Sequence, residues 1–172
     1  MIALRALVLV AALAGALPAF AHSASDAYLT LGEAQVVAGA TVVEGRIDIA
    51  LRDLHFVLGL DDDGDGKITW GEARRHEAQI ARYAYDGLRV DADGSACRIE
   101  PLPMKIADRA DGAYVALNFR ISCGGAAAKL TLDYRLFFAV DPSHRGIAVF
   151  RTRGGAATAL FAPDNTRVTL GL

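Results

Sequence analysis

Residues 113–123 read A-Y-V-A-L-N-F-R-I-S-C. Val115, Leu117, Phe119, Ile121 and Cys123 fall on one parity, against Tyr114, Asn118, Arg120 and Ser122 on the other. A period of two over this length is the mark of a strand with one face in the core. Moving outward, Leu130, Leu132, Tyr134, Leu136 and Phe138 alternate with Thr131, Asp133 and Arg135, which predicts a second strand over 130–138. Upstream, Val43, Ile47, Ile49 and Leu51 oppose Glu44, Arg46 and Asp48, which predicts a third over 42–51. Shorter apolar runs at 28–31, 88–90, 96–100, 146–152, 157–161 and 166–170 lie between turn-forming residues. Many short strands joined by Gly, Asp, Asn and Pro predict a mainly β chain. The expected fold is an antiparallel β-sandwich, immunoglobulin-like in kind.

One stretch does not fit that pattern. Residues 61–72 read D-D-D-G-D-G-K-I-T-W-G-E and match D-x-[DN]-x-[DN]-G-x5-E at every defined position. Asp61, Asp63 and Asp65 supply carboxylates at loop positions one, three and five, and Gly66 allows the sharp turn at six. Lys67 offers its backbone carbonyl at seven, Thr69 a hydroxyl or water-mediated contact at nine, and Glu72 a bidentate carboxylate at twelve. Such a shell of hard oxygens in loose geometry suits Ca²⁺ better than Mg²⁺. Asp61, Asp62, Asp63, Asp65 and Glu72 face Lys67 alone, so the loop is expected to be strained or partly disordered without a cation. An ordinary Asp/Gly turn accounts for neither Ile68 at position eight nor Glu72 at twelve.

Short helices should flank the loop. Residues 51–60 carry Leu54, Val57, Leu58 and Leu60 as an apolar stripe, weakened by Gly59. Over 70–86, Trp70, Ala73, Ile80 and Ala84 share one face, with Leu88 just beyond it and Glu77 interrupting. Gly87 is expected to end that helix as its C′ residue. The EF-hand-type helix–loop–helix is thus an insert at about 52–87 in a single domain over 22–172. The later Asp91-Ala92-Asp93-Gly94 is a hairpin turn and no second calcium loop, because Ser95 and Leu102 stand where acids are needed.

Residues 1–21 have the form of a signal peptide. Arg5 precedes an apolar run over 6–17, too short to span a bilayer, and Ala19-Phe20-Ala21 is an A-x-A cleavage site. Export to the periplasm or the outer face of the membrane is expected, with the mature chain starting at His22 and containing no transmembrane segment. In that compartment Cys97 and Cys123 are most simply a structural disulfide, each on the apolar parity of its strand. The formal net charge of −2, without a run of Lys or Arg, argues against nucleic acid and against an electrostatic membrane surface.

A group of short motifs then becomes informative together. They are His22-x-x-Ser25-Asp26-x-Tyr28-Leu29, Asp48-Ile49-Ala50-Leu51-Arg52-Asp53-Leu54, and residues 59–72 ending Ile68-Thr69-Trp70-Gly71-Glu72. With them go Asp111-Gly112-Ala113-Tyr114, Tyr134-x-Leu136-Phe137-Phe138, Asp141-Pro142-x-His144-Arg145-Gly146 and Phe161-x-Pro163. Over nearly the whole mature length the chain resembles the extracytoplasmic N-terminal region of bacterial HupE/UreJ-like membrane proteins. Relatives of that family include permeases associated with nickel or cobalt for hydrogenase and urease. The resemblance implies an exported domain with one EF-hand-type loop, usually followed by a multi-helix membrane domain. This sequence ends at Leu172 without such helices. It is expected to be either a free-standing version or a piece of a longer product, with a membrane-protein subunit as its partner rather than a transport path of its own.

Two functional classes remain in view. The first is a non-catalytic calcium-binding module with a structural or docking role. The second is transition-metal handling: a mature terminus at His22 combines an α-amine with an imidazole that can chelate Cu²⁺, Ni²⁺ or Co²⁺, with His144 as a further nitrogen. An enzyme is not expected. The chain has no G-x-S-x-G, no Cys/His nucleophile context and no glycine-rich phosphate loop.

Overall fold

The computed structural model describes residues 25–172, so the signal peptide and His22 lie outside the described residues. β1 (Asp26–Leu31), β2 (Gln35–Val37) and β3 (Ala40–Ala50) come first. Helices α1 (Leu51–Leu58), α2 (Trp70–Arg75) and α3 (Glu77–Asp86) follow without another strand between them. The rest is β: β4 (Leu88–Ala92), β5 (Ser95–Ala96), β6 (Arg98–Pro101), β7 (Lys105–Arg109), β8 (Gly112–Cys123), β9 (Lys129–Tyr134), β10 (Arg145–Thr152), β11 (Gly155–Phe161) and β12 (Arg167–Gly171).

The strands form two sheets, arranged like a sandwich. The larger has the order β11-β10-β1-β3-β8-β6, with β2 beside β3 and β7 beside β8; the smaller has the order β12-β9-β4-β5. At the centre β3 and β8 run antiparallel, placing Ile47 opposite Leu117 and Val43 opposite Ile121. These side chains share one core with Leu29, Phe119 and Phe150 of the larger sheet and Val90, Leu130 and Leu132 of the smaller. Full burial of each large apolar side chain contributes roughly 1.5–3 kcal/mol against the entropy of ordering the chain. Cys97 and Cys123 form a disulfide that ties the entry of β6 to the end of β8.

The larger sheet is mixed, which corrects the wholly antiparallel expectation. β1 pairs in parallel with β10, from Asp26 opposite Arg145 to Leu31 opposite Phe150. Parallel neighbours need a long crossover, and here everything from β2 to β9 serves as one. Period-two reading cannot reveal this, because parity is the same for either direction.

Three further differences have local causes. The helix expected over 70–86 breaks at His76, whose φ of −92° and ψ of 6° leave the helical range. The His76 ring bonds sideways to Asp62 at 2.8 Å and Gln79 at 3.0 Å. Glu77, which interrupts the apolar stripe, turns its carboxylate to the Met104 amide. Gly87 is needed for space rather than for handedness. Its φ is −85°, and a Cβ there would lie 2.4 Å from the Leu136 side chain. Trp70 is 41% exposed, off the buried face that Ala73, Ile80 and Ala84 do form; it lies under Arg74 instead. The strand expected over 130–138 ends at Tyr134, after which Leu136 and Phe137 reach the core from a turn.

Candidate metal centre

Where β3 ends, α1 begins at once, and its apolar side places Leu51 and Leu54 in the core. Gly59 closes the helix in the left-handed region at φ 66°, and its amide returns to the His55 carbonyl. The His55 ring then accepts from the amides of Leu60 and Asp61 through Nδ1, at 3.1 and 3.3 Å. Leu60 is fully buried, so the loop starts from a fixed point in the core.

From Asp61 onward the acids organise the backbone. Asp61 accepts from the Gly64 amide at 2.8 Å and the Gly66 amide at 2.9 Å. Asp63 accepts from the Asp65 amide at 3.2 Å, and Asp65 from the Lys67 amide at 2.8 Å. Gly66 has φ 79°, which a residue with a Cβ adopts only at a cost. Forward-pointing amides hold the three carboxylates in place. One ligand oxygen from each of Asp61, Asp63 and Asp65 lies within 4.8 Å of the others, a spacing that could hold a metal ion. Asp63 and Asp65 are exposed and Asp61 half-buried, so the group opens to solvent.

The other expected ligands are placed differently. Glu72 is buried, and its two carboxylate oxygens are both engaged. Oε1 accepts from the Asp62 amide at 2.9 Å; Oε2 accepts from the Thr69 amide and hydroxyl, each at 2.7 Å. Thr69 in return accepts from the Glu72 amide, completing a capping box at the start of α2. These donors hold the Glu72 carboxyl well below the usual range, at about 2. Glu72 therefore frames the loop from the helix side and is not among the three converging carboxylates. Lys67 is exposed, and its amide goes to Asp65.

Charge pairing separates the ring from the acid beside it. Asp62 is held outside the ring by Arg75 and His76, each at 2.8 Å. The His76 and Arg75 bonds lower the Asp62 pKa, and the Asp62 bond raises that of His76. On the outer sheet faces, Asp48 pairs with Arg46 and Arg109, and Asp133 with Arg135 and Arg167. Among the described residues, Asp61, Asp63 and Asp65 form no such pair. Three acids without a paired cation in one small loop make a group that could hold a metal ion.

A buried polar chain escaped sequence reasoning altogether. His144 is fully buried, with Nδ1 2.7 Å from the Ser25 hydroxyl and Nε2 2.7 Å from that of Tyr134. Ser25 also donates to Asp53 at 3.0 Å. Burial pushes the His144 pKa down to about 4, so the ring is neutral at pH 7. With Ser25 donating to Asp53, Nδ1 carries the ring proton and Nε2 accepts from Tyr134. Both nitrogens are thus used, and His144 has none left for a metal. The D-P-S-H-R-G turn was visible in the sequence, but its partner Ser25 lies 119 residues away. No periodicity reports a contact of that range. The chain matches no family model and no curated protein with which it was compared.

Proposed function

We propose that this chain is a non-catalytic, calcium-binding extracytoplasmic domain, in which an EF-hand-type insert is carried by an immunoglobulin-like sandwich. The convergence of Asp61, Asp63 and Asp65 without a cationic partner carries this reading. The backbone carbonyl of Lys67 and water would supply further oxygens, and the Thr69 hydroxyl and Glu72 carboxylate would join the shell only by turning out of their mutual capping box. The ion's part is to neutralise the ring and fix α1 against α2. The Cys97–Cys123 disulfide supports an oxidising compartment. A docking role beside a HupE/UreJ-like membrane subunit agrees with the motif resemblance. Among the described residues no helix is long and apolar enough to cross a membrane.

Loops of this class in extracellular modules bind calcium at about 10⁻⁴–10⁻³ M. At ten times the dissociation constant, the ion adds roughly 1.4 kcal/mol of stability by linkage. Isothermal calorimetry on the folded domain tests the reading. One calcium per chain is expected, with magnesium at least about tenfold weaker. No calcium uptake at millimolar concentration would reject it. The transition-metal reading rests on His22, which lies outside the described residues, and His144 lends it no support because both ring nitrogens are engaged by Ser25 and Tyr134.

A further inference from the structure

On the outer side of α1, Phe56 is 75% exposed, and Val140, in the connection between β9 and β10, is 50% exposed. Both border one cavity of about 300 Å³, which Ser25, Asp53, Phe137 and Asp141 also line. The turn that carries Val140 and Asp141 is fixed from within. The amides of both residues donate to the Phe137 carbonyl at 2.8 Å. Phe137 itself has φ 62°, a conformation that a bulky aromatic residue holds only when its surroundings impose it. Its ring is buried between Tyr83 and His144, with centroids at 5.2 and 4.7 Å. A strained and firmly packed turn therefore presents an exposed valine and an acid, facing an exposed phenylalanine on a helix.

The charge of the cavity has one sign. Among the described residues, Asp53 and Asp141 line it and no Lys or Arg does. Arg52 approaches Asp53 at 3.5 Å but is not part of the lining. Asp141 spends one oxygen on the Ser143 amide and hydroxyl. The volume suits one or two side chains, while Phe56 projects from the rim rather than enclosing a space. Small ligands are held by pockets that bury most of their surface; an open apolar rim with an acidic floor suits a side chain borne on another protein.

We propose that this cavity docks a segment of a partner protein in which a large apolar side chain neighbours a Lys or Arg. The apolar group packs between Phe56 and Val140, and the cation meets Asp53 and Asp141. The site is separate from the calcium loop, although α1 borders both.

The test is a titration of the ¹⁵N-labelled domain with the acetylated, amidated peptide Gly-Leu-Phe-Lys-Leu-Gly, and with the same peptide bearing Glu in place of Lys. Both are run in calcium and in chelator, so that failure of the calcium reading leaves this one standing. Saturable shifts are expected at the amides of Phe56, Val140 and Asp141, with the Glu peptide at least about tenfold weaker. Phe56→Ala should weaken the Lys peptide by about fivefold or more, and Asp141→Asn by about threefold. Phe56 is largely in solvent, so its replacement leaves the fold intact and the comparison interpretable. Equal response to the two peptides, no response, or no effect of Phe56→Ala would overturn the proposal. So would shifts of the same amides with phosphatidylglycerol vesicles but with neither peptide.

Discussion

Two stretches of this chain contain D-x-D-G, and they fold differently. In Asp91-Ala92-Asp93-Gly94 the first two residues belong to β4, and Asp93 and Gly94 turn the chain at φ 47° and 84°. Asp93 then accepts from the amides of Ala128 and Lys129, at 2.9 and 3.0 Å, and pins the entry of β9. Its acid is spent on a distant strand. In Asp61-Asp62-Asp63-Gly64 no strand follows; the acids take amides from the loop itself, and Asp65 joins the group where the other stretch has Ser95. The lesson concerns where the carboxylate finds its donors. Distant donors make an acid a structural pin; donors in the same loop leave several acids together, where a metal ion could be held.

The first way to sharpen this contrast is to weaken the sandwich without touching the loop. Replacing Cys97 and Cys123 by Ser removes a closed loop with a sequence separation of 26. On the chain-entropy estimate this costs about 3–4 kcal/mol. Urea unfolding should show that loss, while calcium affinity of the folded domain stays within about twofold. A large loss of affinity would show that the loop depends on the sandwich more closely than its own hydrogen bonds suggest.

Next come the two acids themselves. Asp61→Ala removes one ring carboxylate and the acceptor for two loop amides. Calcium affinity should fall by about a hundredfold or more, near 2.7 kcal/mol. Asp93→Ala should instead cost stability of about 1–2 kcal/mol through the unpaired Ala128 and Lys129 amides, with calcium affinity unchanged. Calorimetry and thermal unfolding on both variants should cross over. If both lose calcium, or neither does, the distinction fails.

The smallest effect is one of pH. The Glu72 carboxyl is lowered from 4.5 to about 2 by its bonds to Thr69 and the Asp62 amide. A lowered carboxylate pKa contributes stability above its unfolded value and loses it as pH falls toward the folded one. Amide exchange at Asp62 and Thr69 should therefore accelerate between about pH 4.5 and 2, after correction for intrinsic rates. Glu72→Gln should remove that pH dependence. An unchanged profile in the variant would assign the acid sensitivity to other groups.

Much of the molecule was legible where one physical rule acts alone. β8 has a clean period of two, and all of Val115, Leu117, Phe119, Ile121 and Cys123 are buried. Its polar parity was less simple, since Tyr114 is also buried, beneath Arg109 and bonded to Asp111. β2 and β7 were missed because their patterns are almost entirely exposed or half-buried and give no parity signal. Glu72 shows a deeper ambiguity. Thr69-Trp70-Gly71-Glu72 fits positions nine to twelve of a calcium loop, and it also fits the T-x-x-E of a capping box. Both patterns demand the same residues at the same spacing, so only the direction of the carboxylate separates them. The link from Ser25 to His144 was out of reach because nothing local encodes it.

On the function proposed above, Asp61, Asp63 and Asp65 jointly capture one large hard cation. Trp70 is the chain's one tryptophan and lies within the loop sequence, so it provides a built-in donor for terbium, a luminescent stand-in for calcium. Excitation of Trp70 should produce terbium emission that saturates at one ion per chain and is displaced by calcium more readily than by magnesium. It should vanish when Asp61 and Asp63 are both replaced by Ala. Emission that never saturates, or that survives the double replacement, would contradict the claim.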